Sequence, residues 1–570
     1  MLSELLCILK TEHDEFPKTA ATFLQTKNSR NVVKFMLSAN GSFGTYIYFG
    51  LEKALKLMIN PKVYVKDVIE IFVNIDGVQI YKNSKQQFWP ILIMLHDKKY
   101  IVKPQVVAIY HGESKPKSPT EFLNEFIEEL LSLMTNKIKL SDKIYNIKVL
   151  GFICDTPARS FIKCVKSHVA FYACERCTVK GKTVGKNKRI YSRTTCEERN
   201  EQSFKERRQP QHHLDNEISP LLKIPGFDPV KSVVLDSMHL LFLGITKTLL
   251  NNTVFGGPKN SGIGPRNRLL LSNLLHGLSG QIPSEFQRKT FDIGNLKNWK
   301  ATQFRFFLLY SGILVLRHVL PTDKYKHFSL LYVACRLLCS DDLAILNAEN
   351  AKKLLILFFR LLPKFYGSHI QSINFHNLIH IADDVTHIGC SLTSFSAFPF
   401  ENFLMTLKKL VRTPNNPLSQ VANRLKEINL NTNIKIVQSI SVTDYVKKKS
   451  IYLGNHMTKI IFKSITWNEM IITNTSPNNV VQLKNGNIIQ INKIYSLKND
   501  VLNQEKLSLK GSLYYDTRDV FNYPYKSSNV GLWQVNLSKY RCVFHVKEIK
   551  HKCVLLNIKN ITYCTKLLHA

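Results

Sequence analysis

Two short stretches constrain the fold of this chain more than any others: Ile71-Phe-Val-Asn-Ile-Asp76-Gly77 and Lys148-Val-Leu-Gly-Phe-Ile-Cys-Asp155. Each is a hydrophobic stretch that ends on a carboxylate, and the second, Val-Leu-Gly-Phe-Ile, is continuously apolar and rich in β-branched residues. Such runs predict strands buried on both faces. An Asp closing a buried strand has to be neutralised or has to hold a cation, so the pair predicts a divalent-metal site at neighbouring strand ends.

The surrounding segments set an order. Strand signals run from Glu70 to Ile75, from Gln87 to Leu95 and from Gln105 to Tyr110, with a turn through Asp76-Gly77. Ser118-Pro-Thr-Glu121 reads as a capping box ahead of a helix over Phe122 to Met134. Tyr145 to Ile153 gives a fourth strand, and Pro157 opens a second helix. The order βββαβα predicts an α/β fold with a ribonuclease H-like core, the two aspartates closing its first and fourth strands. Residues 1–65 read as a helical region, including an amphipathic piece over Thr45 to Met58, and 66–170 as the first part of the core. The basic stretch 180–215 has no steady period and reads as a loop, or as an arm ordered by nucleic acid. Helical patterns from Val234 to Leu250 and onward to Asp383 predict a mainly helical insertion over 171–385. Residues 386–435 hold a last core helix. From 436 to 570 short strands with Asn/Gly turns, such as Asn485-Gly486, predict a small all-β domain.

The chain has 570 residues, enough for two to four structural units. Lys and Arg number 78 against 42 acidic residues, a net charge of +36 spread along the sequence. Biased Lys/Asn usage explains part of the excess, but a field of this size selects polyanions, double-stranded DNA first among them. The N-terminal residues lack the charge and length of a secretory leader, so the 12 cysteines are expected to stay reduced. No uncharged apolar stretch is long enough for a membrane span. A soluble, nuclear protein is expected.

Two-metal phosphodiester chemistry requires a third acid, because two ions about 3.5–4 Å apart share carboxylate ligands. Glu401, in the first turn of the helix predicted after Phe398-Pro-Phe, is the candidate. By itself it reads better as a favourable charge at a helix N-terminus. Cys174-Glu-Arg-Cys177 is half of a tetrahedral zinc site, and His376-Asn-Leu-Ile-His380, with histidines at i and i+4 of a helix, supplies the other half. One zinc would then tie the far end of the insertion back to the core. The basic side chains Lys186, Lys188, Arg189, Arg193, Arg207 and Arg208, together with Lys408, Lys409 and Arg412, are candidates for a DNA path.

Asp76-Gly with Gln87-Phe-Trp-Pro-Ile, Asp155-Thr-Pro-Ala-Arg, Cys174-x-x-Cys177, Leu235-Asp-Ser-Met-His239, His376-x-x-x-His380 and Pro399-Phe-Glu401-x-Phe-x-x-x-Leu-Lys408 follow one another in this order. The set resembles the DDE transposase of CACTA (En/Spm-type) DNA transposons and their domesticated animal relatives, over residues 65–430. The resemblance implies that Asp76, Asp155 and Glu401 bind catalytic Mg²⁺ or Mn²⁺ and that Cys174, Cys177, His376 and His380 hold a structural Zn²⁺. It also implies strand transfer between transposon ends and target DNA by a homodimer or larger assembly. Asp236 rivals Asp155 as the second acid. Its segment reads as a helix inside the insertion, so it is assigned a structural or DNA-contacting role, with His239 as a packed or hydrogen-bonding neighbour. The alternative to an active transposase is a domesticated DNA-binding or chromatin protein that keeps the fold without the chemistry.

Overall fold

The computed structural model of the chain describes residues 2–23, 32–97, 100–185, 188–256, 262–430, 440–445, 451–453, 457–497 and 507–568. Among them the fold is mixed α/β. The main sheet is built from β1 (Lys34–Leu37), β2 (Phe43–Tyr48), β3 (Val68–Ile75), β4 (Gln87–Leu95), β5 (Gln105–Gly112), β6 (Lys143–Cys154) and β7 (Val233–Leu235) in the order β1-β2-β5-β4-β3-β6-β7. Pairing is antiparallel from β1 to β3 and parallel from β3 to β6 and from β6 to β7.

Val73 lies opposite Phe152, and Cys154 opposite Leu235, so the three parallel strands end side by side. Asp76, Asp155 and Asp236 are the next residues on each. The C-terminal halves of these strands are buried on both faces, which is why their sequences there are mostly apolar. Ile71, Val73 and Ile75 pack with Phe122, Phe126 and Leu130 of α2 (Pro119–Asn136) and with α1 (Leu51–Met58). Phe72, Phe88, Ile153 and Val234 face the helical region instead. Ser118 caps α2 by accepting the Glu121 N–H, one of the two bonds of the capping box that the sequence predicts.

Three expectations change. Residues 34–37 and 43–48 are strands that widen the sheet, so the first 65 residues are not simply helical, and the helix expected from Thr45 begins at Leu51. The 180–215 stretch is ordered by a small hairpin, Lys182–Val184 with Lys188–Ile190, and by helix Glu201–Lys205. Val233–Leu235 is a strand of the main sheet, not the start of a helix. Its three residues run straight into the apolar segment Met238–Thr246, whose helical pattern masks them.

The helical region includes α3 (Thr156–Ile162), α4 (Ala301–Phe306), α5 (Thr322–Leu338), α6 (Ala344–Tyr366), α7 (Ile381–Ile388) and α8 (Phe398–Lys409). Beyond it, β8 (Met457–Trp467), β9 (Val480–Leu483), β10 (Ile488–Leu497), β11 (Ser508–Arg518), β12 (Leu532–His545), β13 (Ile549–Ile558) and β14 (Ile561–Lys566) form an antiparallel sheet. It closes on itself along β10-β9-β13-β14-β12-β11, because β11 returns to pair with β10. Gly486, at φ +91°, turns the β9–β10 hairpin anticipated from Asn485-Gly486. No helix among the described residues is long and apolar enough to cross a membrane.

Candidate metal centres

The first centre forms where the parallel strands stop. Asp76 follows β3 and is 9% exposed. The next residue packs so closely on Trp89 that a Cβ at Gly77 would lie 2.9 Å from the indole. Glu401 enters from the first turn of α8. One oxygen of Asp76, one of Glu401 and a ring nitrogen of His239 lie within 4.8 Å of one another. Burial first, then the negative charges of Asp155 and Glu401, push the Asp76 carboxyl well above the ordinary carboxylate range. The shift reflects the crowding of buried acids at the strand ends.

Asp155 stands beside this group without belonging to the tight cluster. It caps α3, its Oδ1 accepting the Ala158 N–H at 2.8 Å, and no hydrogen bond engages its Oδ2 among the described residues.

Asp236 is fully buried and fully engaged. Its Oδ1 accepts the Ala397 N–H at 2.8 Å, and its Oδ2 accepts both the His239 N–H at 2.9 Å and the His239 Nδ1 proton at 2.8 Å. One carboxylate therefore ties the end of β7 to the π-helix Met238–Thr246 and to the start of α8. The bond at Nδ1 leaves His239 Nε2 turned toward Glu401, 3.7 Å from Oε1. Burial works against a charged imidazole here, but the Asp236 bond and the charges of Asp236, Asp76 and Glu401 outweigh it and raise His239 to about 9. The imidazolium supplies positive charge in the middle of the acids. Sequence reasoning gives His239 as a packed or hydrogen-bonding neighbour, and the bond to Asp236 is there, but its place beside Glu401 was missed; the available signal was an Asp and a His three residues apart directly after an apolar run.

The second centre joins Cys174, Cys177, His376 and His380, all buried and mutually within reach of one ion. The Sγ–Sγ distance is 3.6 Å, Cys177 Sγ lies 3.3 Å from His376 Nε2, and the two Nε2 atoms are 3.4 Å apart. With metal–sulfur bonds of about 2.3 Å and metal–nitrogen bonds of about 2.0–2.1 Å, a tetrahedral ion has edges of roughly 3.3–3.8 Å. The observed edges match. His376 Nδ1 lies 3.1 Å from the Tyr191 carbonyl, which fixes the tautomer that frees Nε2. Burial opposes ionisation of Cys174, yet the Cys177 thiol donating to it and the nearby His380 carry its pKa well below the usual thiol value. The histidines do not share one uninterrupted helix: His376 sits in Ile373–Asn377, whereas His380 is the N-cap of α7.

The two residues between the cysteines reach both neighbouring strand ends. Glu175 accepts from Arg159 Nε at 2.9 Å and Lys163 Nζ at 3.0 Å, both at or just beyond α3. Burial would raise this acid, but Arg159, Lys163 and Arg176 hold it down at about 2. Arg176 Nη2 donates to both oxygens of Asp384 at 3.0 Å and to the Val233 carbonyl at 2.8 Å. Asp384 in turn accepts the Leu235 N–H at 2.6 Å.

The basic candidates divide. Lys408 Nζ donates to the Gln79 carbonyl at 2.9 Å, Arg207 caps the Leu214 carbonyl, and Arg208 pairs with Glu206 at 2.7 Å. Arg189 lies over the Phe171 ring at 3.5 Å. Lys188, Arg193, Lys409 and Arg412 are exposed. Lys186 lies outside the described residues.

Among family models, one described as a domain of unknown function (DUF8592) matches residues 446–567, the strand-rich C-terminal part. Both centres lie outside that match. No curated protein matches the chain.

Proposed function

We propose that the chain is a DDE-type DNA transposase, resembling those of CACTA elements, which cuts and joins phosphodiester bonds in double-stranded DNA in the nucleus. The observation that carries this reading is the meeting of Asp76 and Glu401, from distant parts of the sequence, with Asp155 alongside at adjacent parallel strand ends. The strand order and directions also suit a ribonuclease H-like core, and the net charge of +36 suits a polyanionic substrate.

Asp76 and Glu401 would hold a divalent ion, with Asp155 Oδ2 alongside and the His239 ring bordering the pocket. Oxygen donors in a carboxylate-rich pocket fit Mg²⁺ or Mn²⁺. When bound, the ion would polarise a phosphoryl oxygen and lower the pKa of a nucleophilic water or 3′-hydroxyl. The protein's own contribution is positional: β3 and α3 fix two acids, while Asp236 holds His239 and the base of α8 in register with them. The second centre would hold one structural Zn²⁺, its two thiolate and two imidazole donors being the usual tetrahedral set.

The test is strand nicking and strand transfer by the purified chain with Mg²⁺ or Mn²⁺. Asp76→Ala and Glu401→Ala should each abolish both reactions, and activity surviving in both variants would sink the assignment. Tight DNA binding without cleavage in the parent chain would favour a domesticated DNA-binding protein instead.

A further inference from the structure

α4 packs against the π-helix that carries His239. Its Arg305 guanidinium lies over the Phe398 ring, 4.2 Å from the centroid. Phe398 also meets Phe242, with centroids 5.9 Å apart. Phe398 stands one turn before Glu401 on α8, and Phe242 follows His239 by three residues on the π-helix. Phe242, Phe398 and Arg305 thus form a layer whose two rings sit on the same helices that deliver His239 and Glu401 to the first centre.

Among the described residues Arg305 has no hydrogen-bond or ion-pair partner, and its Nε is buried without one. Arg305 is half-buried; Arg189 and Arg268 likewise lie over phenylalanine rings with a buried, unpartnered Nε, and Arg305 differs from them in its place, on the helix packed against the π-helix of His239. The fully buried Arg176 and Arg336 do find partners, Arg176 placing its terminal nitrogens on Asp384 and two carbonyls and Arg336 donating to a ring of carbonyls. Burial lowers Arg305 to about 10, which still leaves it charged at neutral pH. Leaving a guanidinium partly desolvated and unpaired is costly unless a ligand completes it. The backbone continues directly into a second π-helical stretch, Phe307–Ser311, a distortion often found at functional sites.

We propose that Arg305 is a phosphate-binding residue that grips the backbone of the DNA strand entering the Asp76–Glu401 centre. The inference rests on the reading of the chain as a DNA-cutting enzyme. A guanidinium offers a planar fork that matches two phosphate oxygens, and the aromatic stack holds that plane without using any of its donors. Arg305 is a positioning residue: it sets where the strand lies, while the acids and the ion act on the scissile bond.

The experiment measures binding of the full-length protein to a short duplex of arbitrary sequence in Ca²⁺, across a salt series. Arg305→Met keeps an apolar stem over Phe398 and removes the charge; Arg305→Lys keeps the charge. Loss of one phosphate contact should reduce the slope of log K against log salt by about 0.9 in the Met variant, with the Lys variant retaining the parental slope. Melting temperature and zinc content report folding, and Arg305→Gln repeats the comparison should the Met variant misfold. In Mn²⁺ the Met variant should raise KM for DNA more than it lowers kcat. A folded neutral variant with the parental slope overturns the assignment of Arg305 while leaving the DNA-cutting reading intact. A parent chain that shows no salt-dependent DNA binding overturns both.

Discussion

A buried carboxylate with three hydrogen bonds is a larger organiser than its size suggests, and Asp236 is the clearest case here. It accepts from two different helical segments and closes a sheet strand, so every bond it loses loosens the approach of His239 and Glu401 at once. Asp236→Asn keeps the volume but replaces one acceptor by a donor facing an N–H. We expect it to cost about 1–3 kcal/mol in urea unfolding and to reduce nicking although no ion ligand is changed. His327 gives a prediction of a different kind. Burial drops it to about 4 from an ordinary 6.5 while it lies against Phe358 and donates to that residue's carbonyl at 2.9 Å. Its folded pKa lies below the unfolded one, so between pH 6.5 and 4 the unfolded chain binds the extra proton and stability falls as pH falls. Across that window the loss from this side chain is roughly 3 kcal/mol, and His327→Phe should flatten that part of the stability–pH curve. Asp76 and Glu401 were legible in the sequence because each closes or opens an unmistakable element. His239 was not, because β7 is only Val233–Leu235 and the apolar helical run after it dominates the pattern.

At the scale of elements, the Cys174–Cys177 turn does more than bring two thiols together. Glu175 holds the α3 side through Arg159 and Lys163, and Arg176 holds β7 and α7 through the Val233 carbonyl and Asp384. The turn therefore fixes the spacing of the strand ends that carry Asp155 and Asp236, which gives the second centre a physical route to the first. Cys174→Ser should lose the single equivalent of zinc expected in the purified protein, melt at a lower temperature and lose nicking in parallel. Arg176→Ala leaves Asp384 buried without its partner and should cost about 3–5 kcal/mol in urea unfolding. If Arg176→Ala retained both full stability and full activity, the turn would be a clasp with no bearing on the strand ends. The CxxC and HxxxH spacings announced the four donors. The buried ion pairs were invisible beforehand, because Glu175 pairs with residues of α3 and Arg176 with Asp384, and only the folded chain brings these segments together.

At the scale of the whole molecule, the C-terminal strands read from sequence as a separate small domain, and the family match over 446–567 treats them as a unit. Their packing is less independent. Val530, Leu532, Val554, Leu556 and Tyr563 share a core with the helices. Arg336 on α5, fully buried, donates to the carbonyls of Val530, Gly531 and Lys566. Across the same junction Lys552, with its side chain fully buried, pairs with Glu285 at 2.7 Å and also donates to Asn478 at 2.8 Å. Burial lowers Lys552, and Glu285 only partly restores it. Removing the acid leaves an ammonium in the interface without its counter-charge, so Glu285→Ala should cost about 3–5 kcal/mol near neutral pH. The sign of its pH dependence follows. Above the depressed pKa of the stranded lysine the folded state carries neutral amine, so the deficit shrinks as pH rises, whereas a lost packing contact would give a deficit independent of pH. Pairing Glu285→Leu with Lys552→Met should restore most of the stability, since apolar replacements of similar volume often match a buried ion pair. Urea unfolding of the parent, the single and the double variant at two pH values separates these outcomes. If all three unfolded alike, the junction would contribute nothing and the C-terminal strands would be an appended module instead of part of one cooperative fold.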